Sequence, residues 1–264
     1  MAYHSYPFPS LDWAYQGFDF AGLYGGVTQQ VADNMYADGV RFVGRYLYNG
    51  GKGATAQEIQ YYLNAGIRIF FYYEVLTSDS LGGYQRGQQN GANCLALANA
   101  LGVPQGTQIY CCCDTGVTDA QASGVVMDYL NGFANALPNY YTGIYGGANV
   151  MDACYTTYPQ NCRVQAGAWG VQEFEPINIR QWLIATNNRA YSDGKLRIQN
   201  VSIDSNGYAT WRGNPVDILS ANSIENMWGD DDPDPPPTPP DPPEPPQPTT
   251  GNKMPFWLYL KLPL

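Results

Sequence analysis

Residues 55–74, TAQEIQYYLNAGIRIFFYYE, contain one complete unit of the fold. Thr55 followed three positions later by Glu58 has capping-box spacing, so a helix is predicted to begin there and to stop at Gly66. Arg68–Glu74 then reads as a strand that ends in a carboxylate. Helix, glycine stop, strand and polar end recur on both sides of this unit. Apolar or β-rich segments with a polar end occur at Gln16–Phe20, Arg41–Tyr48, Arg68–Glu74, Gln108–Asp114, Tyr141–Gly146, Arg163–Gly170, Ile179–Trp182 and Arg197–Asp204. Helical windows lie between them. Thr118 can cap a helix running toward Leu137 and Pro138, and Gly83–Leu101 is a further helical window, weakened by its glycines. Pro215 suits the first turn of a last helix through Trp228.

Eight such repeats over some 210 residues predict an α/β fold of the (β/α)8 TIM-barrel type. The alternative is a doubly wound open sheet. That fold usually carries a phosphate-cradling glycine loop after its first strand, where this chain reads Phe18-Asp19-Phe20-Ala21-Gly22.

In a barrel the strand ends carry the chemistry, because the C-terminal rim is where active sites form. Four acids occupy those ends: Asp19, Glu74, Asp114 and Asp204. Alternation puts Glu74 on a face with Tyr72 and Phe70, and Asp114 on a face with Cys112 and Tyr110. Carboxylates gathered in one mouth raise one another's pKa, so a neutral acid and an ionised partner can coexist, which is what glycosidic cleavage requires. Each acid also has a plain structural reading, as a helix cap or turn acceptor. Arg45 either satisfies one of these acids or binds a ligand oxygen, with the salt bridge favoured. Tyr46, Tyr72, Tyr145, Trp169 and Trp182 lie at or near strand ends, where aromatic rings can stack on the apolar faces of sugars. Ordinary core packing explains most of the 22 tyrosines, which leaves Trp169 and Trp182 as the favoured cleft-wall candidates.

Six cysteines are present, three of them consecutive at Cys111, Cys112 and Cys113. Consecutive strand residues face alternate ways, so this run reads as small hydrophobes filling two layers rather than a zinc clasp, and no metal or cofactor is expected. A Cys154–Cys162 bridge would close a short loop, and a free pair is the alternative. The only histidine is His4, so Ser-His-Asp and Cys-His chemistry is not expected. Thirteen basic against 23 acidic residues give a net charge of -10, which disfavours nucleic acid and anionic membranes as partners. The sequence has no apolar run of the length a membrane helix needs and no evident signal peptide.

Composition divides the chain into a barrel at 1–228, an acidic proline-rich linker at 229–250 and a hydrophobic docking segment at 251–264. Thirteen of the 20 prolines fall after Trp228. Missing N–H groups and fixed φ favour an extended polyproline rod there, rising about 3.1 Å per residue. In the last segment, GNKMPFWLYLKLPL, alternate residues are apolar on both faces, which suits addition of a strand to another chain's sheet. Folding back on its own barrel is the alternative.

Eight short motifs occur in order: Gly17-Phe18-Asp19-Phe20, Arg45-Tyr46-Leu47, Tyr73-Glu74, Ile109-Tyr110 through Asp114, Gly143-Ile144-Tyr145-Gly146, Ala168-Trp169-Gly170, Gln181-Trp182 and Ile203-Asp204. Over about residues 16–228 they resemble the glycoside hydrolase-like barrel domains, distant relatives of the family 25 muramidases that cleave the glycan of bacterial cell walls. The resemblance implies that Asp19, Glu74, Asp114 and Asp204 form the acidic mouth and that peptidoglycan or another surface glycan is the partner. One motif departs from the muramidase pattern, an Asp and a Glu two residues apart at the end of the fourth strand: here Asp114 is followed by Thr115 and Gly116. With the proline rod and docking peptide, the whole resembles a tail-associated protein of a tailed bacteriophage, carried on the virion and held by other tail proteins. Two functional readings stay open, a glycosidase and a catalytically silent carbohydrate-binding barrel.

Overall fold

The computed structural model describes residues 15–158, 161–167, 177–182, 196–203 and 208–229. In chain order the elements are β1 (Tyr15–Asp19), α1 (Gln29–Ala37), β2 (Phe42–Tyr46), α2 (Ala56–Asn64), β3 (Arg68–Tyr73), a 3-10 turn (Asp79–Gly82), α3 (Gly83–Leu101) and β4 (Gln108–Cys112). Then come α4 (Asp119–Gln121), a π-helical segment (Ala122–Val126), α5 (Met127–Ala136), β5 (Tyr141–Gly146), α6 (Ala148–Thr157), β6 (Cys162–Gln165) and β7 (Ile179–Trp182). The last described elements are β8 (Val201–Ile203), β9 (Ala209–Trp211), β10 (Asn214–Pro215) and β11 (Asp217–Ala221).

Eight strands close a barrel in the order β1-β11-β7-β6-β5-β4-β3-β2. The predicted unit at residues 55–74 forms as expected: Thr55 Oγ1 accepts from the Glu58 N–H at 3.1 Å, α2 runs to Asn64, and β3 follows with all six residues buried. β1 through β7 pair in parallel around the barrel.

The eighth barrel strand is not the expected one. Arg197–Asp204 contributes β8 to a separate three-stranded sheet, β10-β9-β8, and the barrel is closed by β11 instead. β11 lies within the window predicted as the last helix, and it runs antiparallel to both β1 and β7. An all-parallel (β/α)8 barrel is therefore corrected to seven parallel strands and one reversed. A tight hairpin explains the reversal. Arg212 and Gly213, with φ of 49° and 81°, turn β9 back into β10, and the chain enters β11 with only Val216 between. After β11 the chain crosses the opposite end of the barrel. Trp228 pairs with Ile69, the Gln108 N–H donates to the Asn226 carbonyl at 2.7 Å, and Ile224 and Met227 pack into the interior.

The glycines of Gly83–Leu101 do not break α3. A Cβ on Gly87 would lie 2.0 Å from the Tyr129 carbonyl oxygen, and one on Gly91 would lie 2.6 Å from that of Phe133. Their absence lets α3 and α5 approach closely, and that packing offsets the roughly 1 kcal/mol helix penalty of each glycine.

Inside the barrel Phe42, Phe70, Tyr72, Tyr110, Cys112, Val164, Ile179 and Leu219 form one cluster. Outside it Cys111, Cys113, Ile144, Tyr129 and Phe133 belong to the layer against the helices. The three consecutive cysteines thus alternate between two layers, as their strand periodicity requires. All six cysteines are buried with free thiols, Cys154 and Cys162 included. Residues 230–264, which hold most of the expected linker and the whole docking segment, lie outside the described residues.

Candidate functional site

Reversal of β11 brings a new acid to the rim. Register pairs Asp19, the last residue of β1, with Asp217, the first of β11, so both carboxyls enter the barrel at its C-terminal mouth. Beside them opens a small recess, continuous with solvent and lined by Asp19, Tyr46, Tyr72, Glu74, Cys112, Asp114, Tyr145 and Gln181. Three of the four expected acids converge there, together with three of the expected aromatics.

The floor is organised around Gln181. Its side-chain oxygen accepts from Tyr145 OH at 2.9 Å and from the Gly167 N–H at 3.1 Å, which fixes the amide orientation. Its nitrogen is thereby aimed at both acids, 3.3 Å from Asp19 Oδ2 and 3.2 Å from Asp217 Oδ2. Tyr72 OH also donates to Asp19 Oδ2 at 3.1 Å. Asp19 is only 3% exposed. Burial, reinforced by the facing Asp217 carboxylate, raises the Asp19 pKa well above the ordinary 3.8, against the lowering by Tyr72 and Gln181. Asp217 is raised too, chiefly by burial, while its bond with Asp19 pulls the other way. Both shifts favour the protonated form of the pair, with burial as the leading cause at each carboxyl.

The wall is aromatic. Tyr72 contacts Tyr46 and Tyr145, each at 5.5 Å between ring centroids. Burial pushes all three phenols upward, with the Asp19 charge as the next cause, so they remain neutral donors. Burial likewise raises the Cys112 thiol, which leaves it a poor nucleophile. Gly44 makes room for this arrangement. A Cβ there would sit 2.6 Å from the Phe70 ring, 2.9 Å from the Tyr72 ring and 3.1 Å from Asp19 Cβ.

The rim carries an ion pair that the sequence did not suggest. Lys52 Nζ lies 2.9 Å from Glu74 Oε2 and stands over the rings of Tyr46 and Tyr48, at 4.7 and 5.1 Å from their centroids. Asp114 is half-buried at the recess wall.

Two expected site residues point elsewhere. Arg45 faces away from the recess, because odd and even residues of β2 take opposite sides of the wall. Its guanidinium pairs with Glu58 of α2 at 2.6 Å and donates to the Phe20 carbonyl, so the favoured salt bridge exists but with Glu58 rather than a rim acid. Trp182 is also outside: it is buried in the layer around the barrel, with its indole N–H donating to Ser220 Oγ at 2.9 Å. The inward residue of that dipeptide is Gln181, and the alternation Ile179, Gln181 was the signal for it. Asp204 and Trp169 lie outside the described residues. Among the described residues no group of three or more His, Cys, Asp and Glu side chains is arranged to hold a metal ion.

Comparison with known proteins gives the same architecture. The Mycobacterium tuberculosis Tat-secreted protein Rv2525c superposes with a TM-score of 0.61 at 19% identity, covering 81% of this chain and 99% of that one. A Bacillus stearothermophilus protein superposes with a TM-score of 0.54 at 17% identity, over 81% of this chain and 100% of the other. The Bacillus subtilis (strain 168) protein YbfG is 26% identical over 148 residues, 47% of this chain and 19% of YbfG's own length. The model of the Rv2525c-like, glycoside hydrolase-like domain matches residues 33–217, well over half of the chain, and the chain therefore belongs to that family.

Proposed function

We propose that the recess binds a sugar ring of peptidoglycan or another surface glycan and is built for glycosidic cleavage, with Asp19 as the proton donor. The observation that carries this reading is a buried carboxyl, Asp19, set against a second one, Asp217, at the floor of a tyrosine-walled recess whose rim bears further carboxylates, a setting that raises its pKa. In the proposed step Asp19 delivers its proton to the glycosidic oxygen as the bond to the anomeric carbon breaks. Tyr72 and Gln181 donate hydrogen bonds to the resulting Asp19 carboxylate, and Asp114 accepts a proton from the water whose oxygen adds to the anomeric carbon. Glu74 suits proton donation less well, because its carboxylate is engaged in an ion pair with Lys52 at 2.9 Å.

Release of reducing ends from purified cell-wall sacculi tests this. Wild type should release them, and Asp19→Asn and Asp114→Asn should release at least about a hundredfold less. Equal release by all three overturns the assignment. The Lys52–Glu74 pair favours a second reading, a silent binding barrel, which would instead co-sediment with sacculi and release nothing.

We further propose a bacteriophage tail as the setting, with other tail proteins as partners. The support is in the sequence of residues 229–264, where an acidic proline rod precedes a segment apolar on both strand faces. Deleting residues 251–264 should then abolish incorporation into particles, and undiminished incorporation overturns the setting.

A further inference from the structure

Resting on the glycan reading, we infer that the recess selects a sugar bearing a free amino group, and that Lys52 is a resident stand-in for that ligand. The Lys52 ammonium occupies a seat made of the Glu74 carboxylate, 2.9 Å away, and the Tyr46 and Tyr48 rings beneath it. Glu74 and Tyr46 also line the recess, so the seat shares two of its members with the pocket and adjoins it. A carboxylate combined with aromatic faces is the chemistry that recognises ammonium groups.

Charge points the same way. Glu74 and Asp114 line the recess together with the proton donor Asp19, and the nearby Arg45 is turned through the wall to Glu58. A sugar carrying a carboxylate would meet repulsion, and an N-acetylated sugar would leave the seat to Lys52. A glucosamine-type unit can replace one ammonium by another, so the ion pair with Glu74 is exchanged rather than lost. Lys52 is placed to withdraw. It stands in the loop Gly50-Gly51-Lys52-Gly53, and its side chain is 26% exposed.

Calorimetric titration of the full chain with a glucosamine oligomer and with the N-acetylated oligomer of the same length tests the inference. The amino form should bind at least about tenfold more tightly. Lys52→Met, which vacates the seat, should tighten the amino form about three- to tenfold with little effect on the acetylated one, while Glu74→Gln should weaken the amino form by a similar factor. Melting curves of both variants establish that they are folded. Equal or tighter binding of the acetylated oligomer overturns the inference and leaves the glycan reading standing. Amino-oligomer binding unmoved by Glu74→Gln also overturns it, because a polyamine held only by the acidic surface would behave that way. Binding of neither oligomer overturns the inference and the glycan reading together.

Discussion

The floor and the rim of one recess handle carboxylates in opposite ways. At the floor the buried Asp19 faces Asp217 across the antiparallel edge of β1, and burial together with the like charge raises its pKa. At the rim Glu74 meets a cation, and its side chain stays 12% exposed beside a more exposed lysine. The difference teaches that burial with a like charge makes an acid, whereas partial exposure with an opposite charge makes an anchor. A site that needs both a proton donor and a charged contact obtains them from the same side-chain chemistry by depth and by the sign of the neighbouring charge.

The sharpest way to break this comparison is to exchange the roles of the two acids. Asp19→Asn removes the proton donor and is expected to slow reducing-end release by about 10²–10⁴, a barrier increase of roughly 3–5 kcal/mol. Glu74→Gln should slow it no more than about tenfold, with the loss mainly in KM because the rim contributes binding. Rates measured on sacculi decide it, and a larger loss at Glu74 than at Asp19 would reverse the assignment.

A smaller effect tests whether the floor depends on tight packing. Gly44→Ala drives a methyl group against Phe70, Tyr72 and Asp19 Cβ, and overpacking of this kind costs about 1–3 kcal/mol. Denaturant unfolding should register that loss. An unchanged midpoint would mean that the floor is looser than its geometry indicates.

The Asp19–Asp217 pair also predicts the sign of a pH effect. Both pKa values are raised in the folded chain, so the folded state retains a proton that the unfolded chain surrenders above 3.8. Stability should therefore fall as pH rises from about 4 toward the raised values, through the contribution of this pair. Asp217→Asn should flatten that decline and raise the melting temperature near neutral pH by a few degrees. Parallel melting curves from pH 4 to 8 check both, and an unaltered slope in the variant would remove the pair as its source.

Much of the floor and rim was legible in the chain because strand alternation is local. Asp19, Glu74, Asp114, Tyr46, Tyr72 and Tyr145 could be placed from their own strands. Two failures came from different physics. Asp217 was hidden because Pro215 and the residues after it satisfy a helix pattern, and only the open edges of β1 and β7, far away in sequence, make β11 a strand. Trp182 was chosen over Gln181 by residue type, although alternation with the inward Ile179 selects the glutamine. Lys52 carried no signal at all: a glycine-flanked lysine in a loop gives no sign of which carboxylate it will meet. Arg45 was read as a salt-bridging residue, and it is one, but its partner lies on the other side of the wall.

The smallest expected effect concerns stability at the rim, and it separates anchoring a ligand from holding the fold together. Lys52→Met breaks the pair with Glu74, yet Lys52 is 26% exposed and solvent screens its charge. Pairs of that kind contribute about 0–1 kcal/mol, so the melting temperature should move by no more than about two degrees. Arg45→Met supplies the contrast. Its guanidinium is almost fully buried against Glu58, and removing one partner of such a pair costs about 3–5 kcal/mol because the other charge is left stranded out of water. If Lys52→Met destabilised the chain as much as Arg45→Met, the rim lysine would be a structural brace, and its place in the ligand seat would need another explanation.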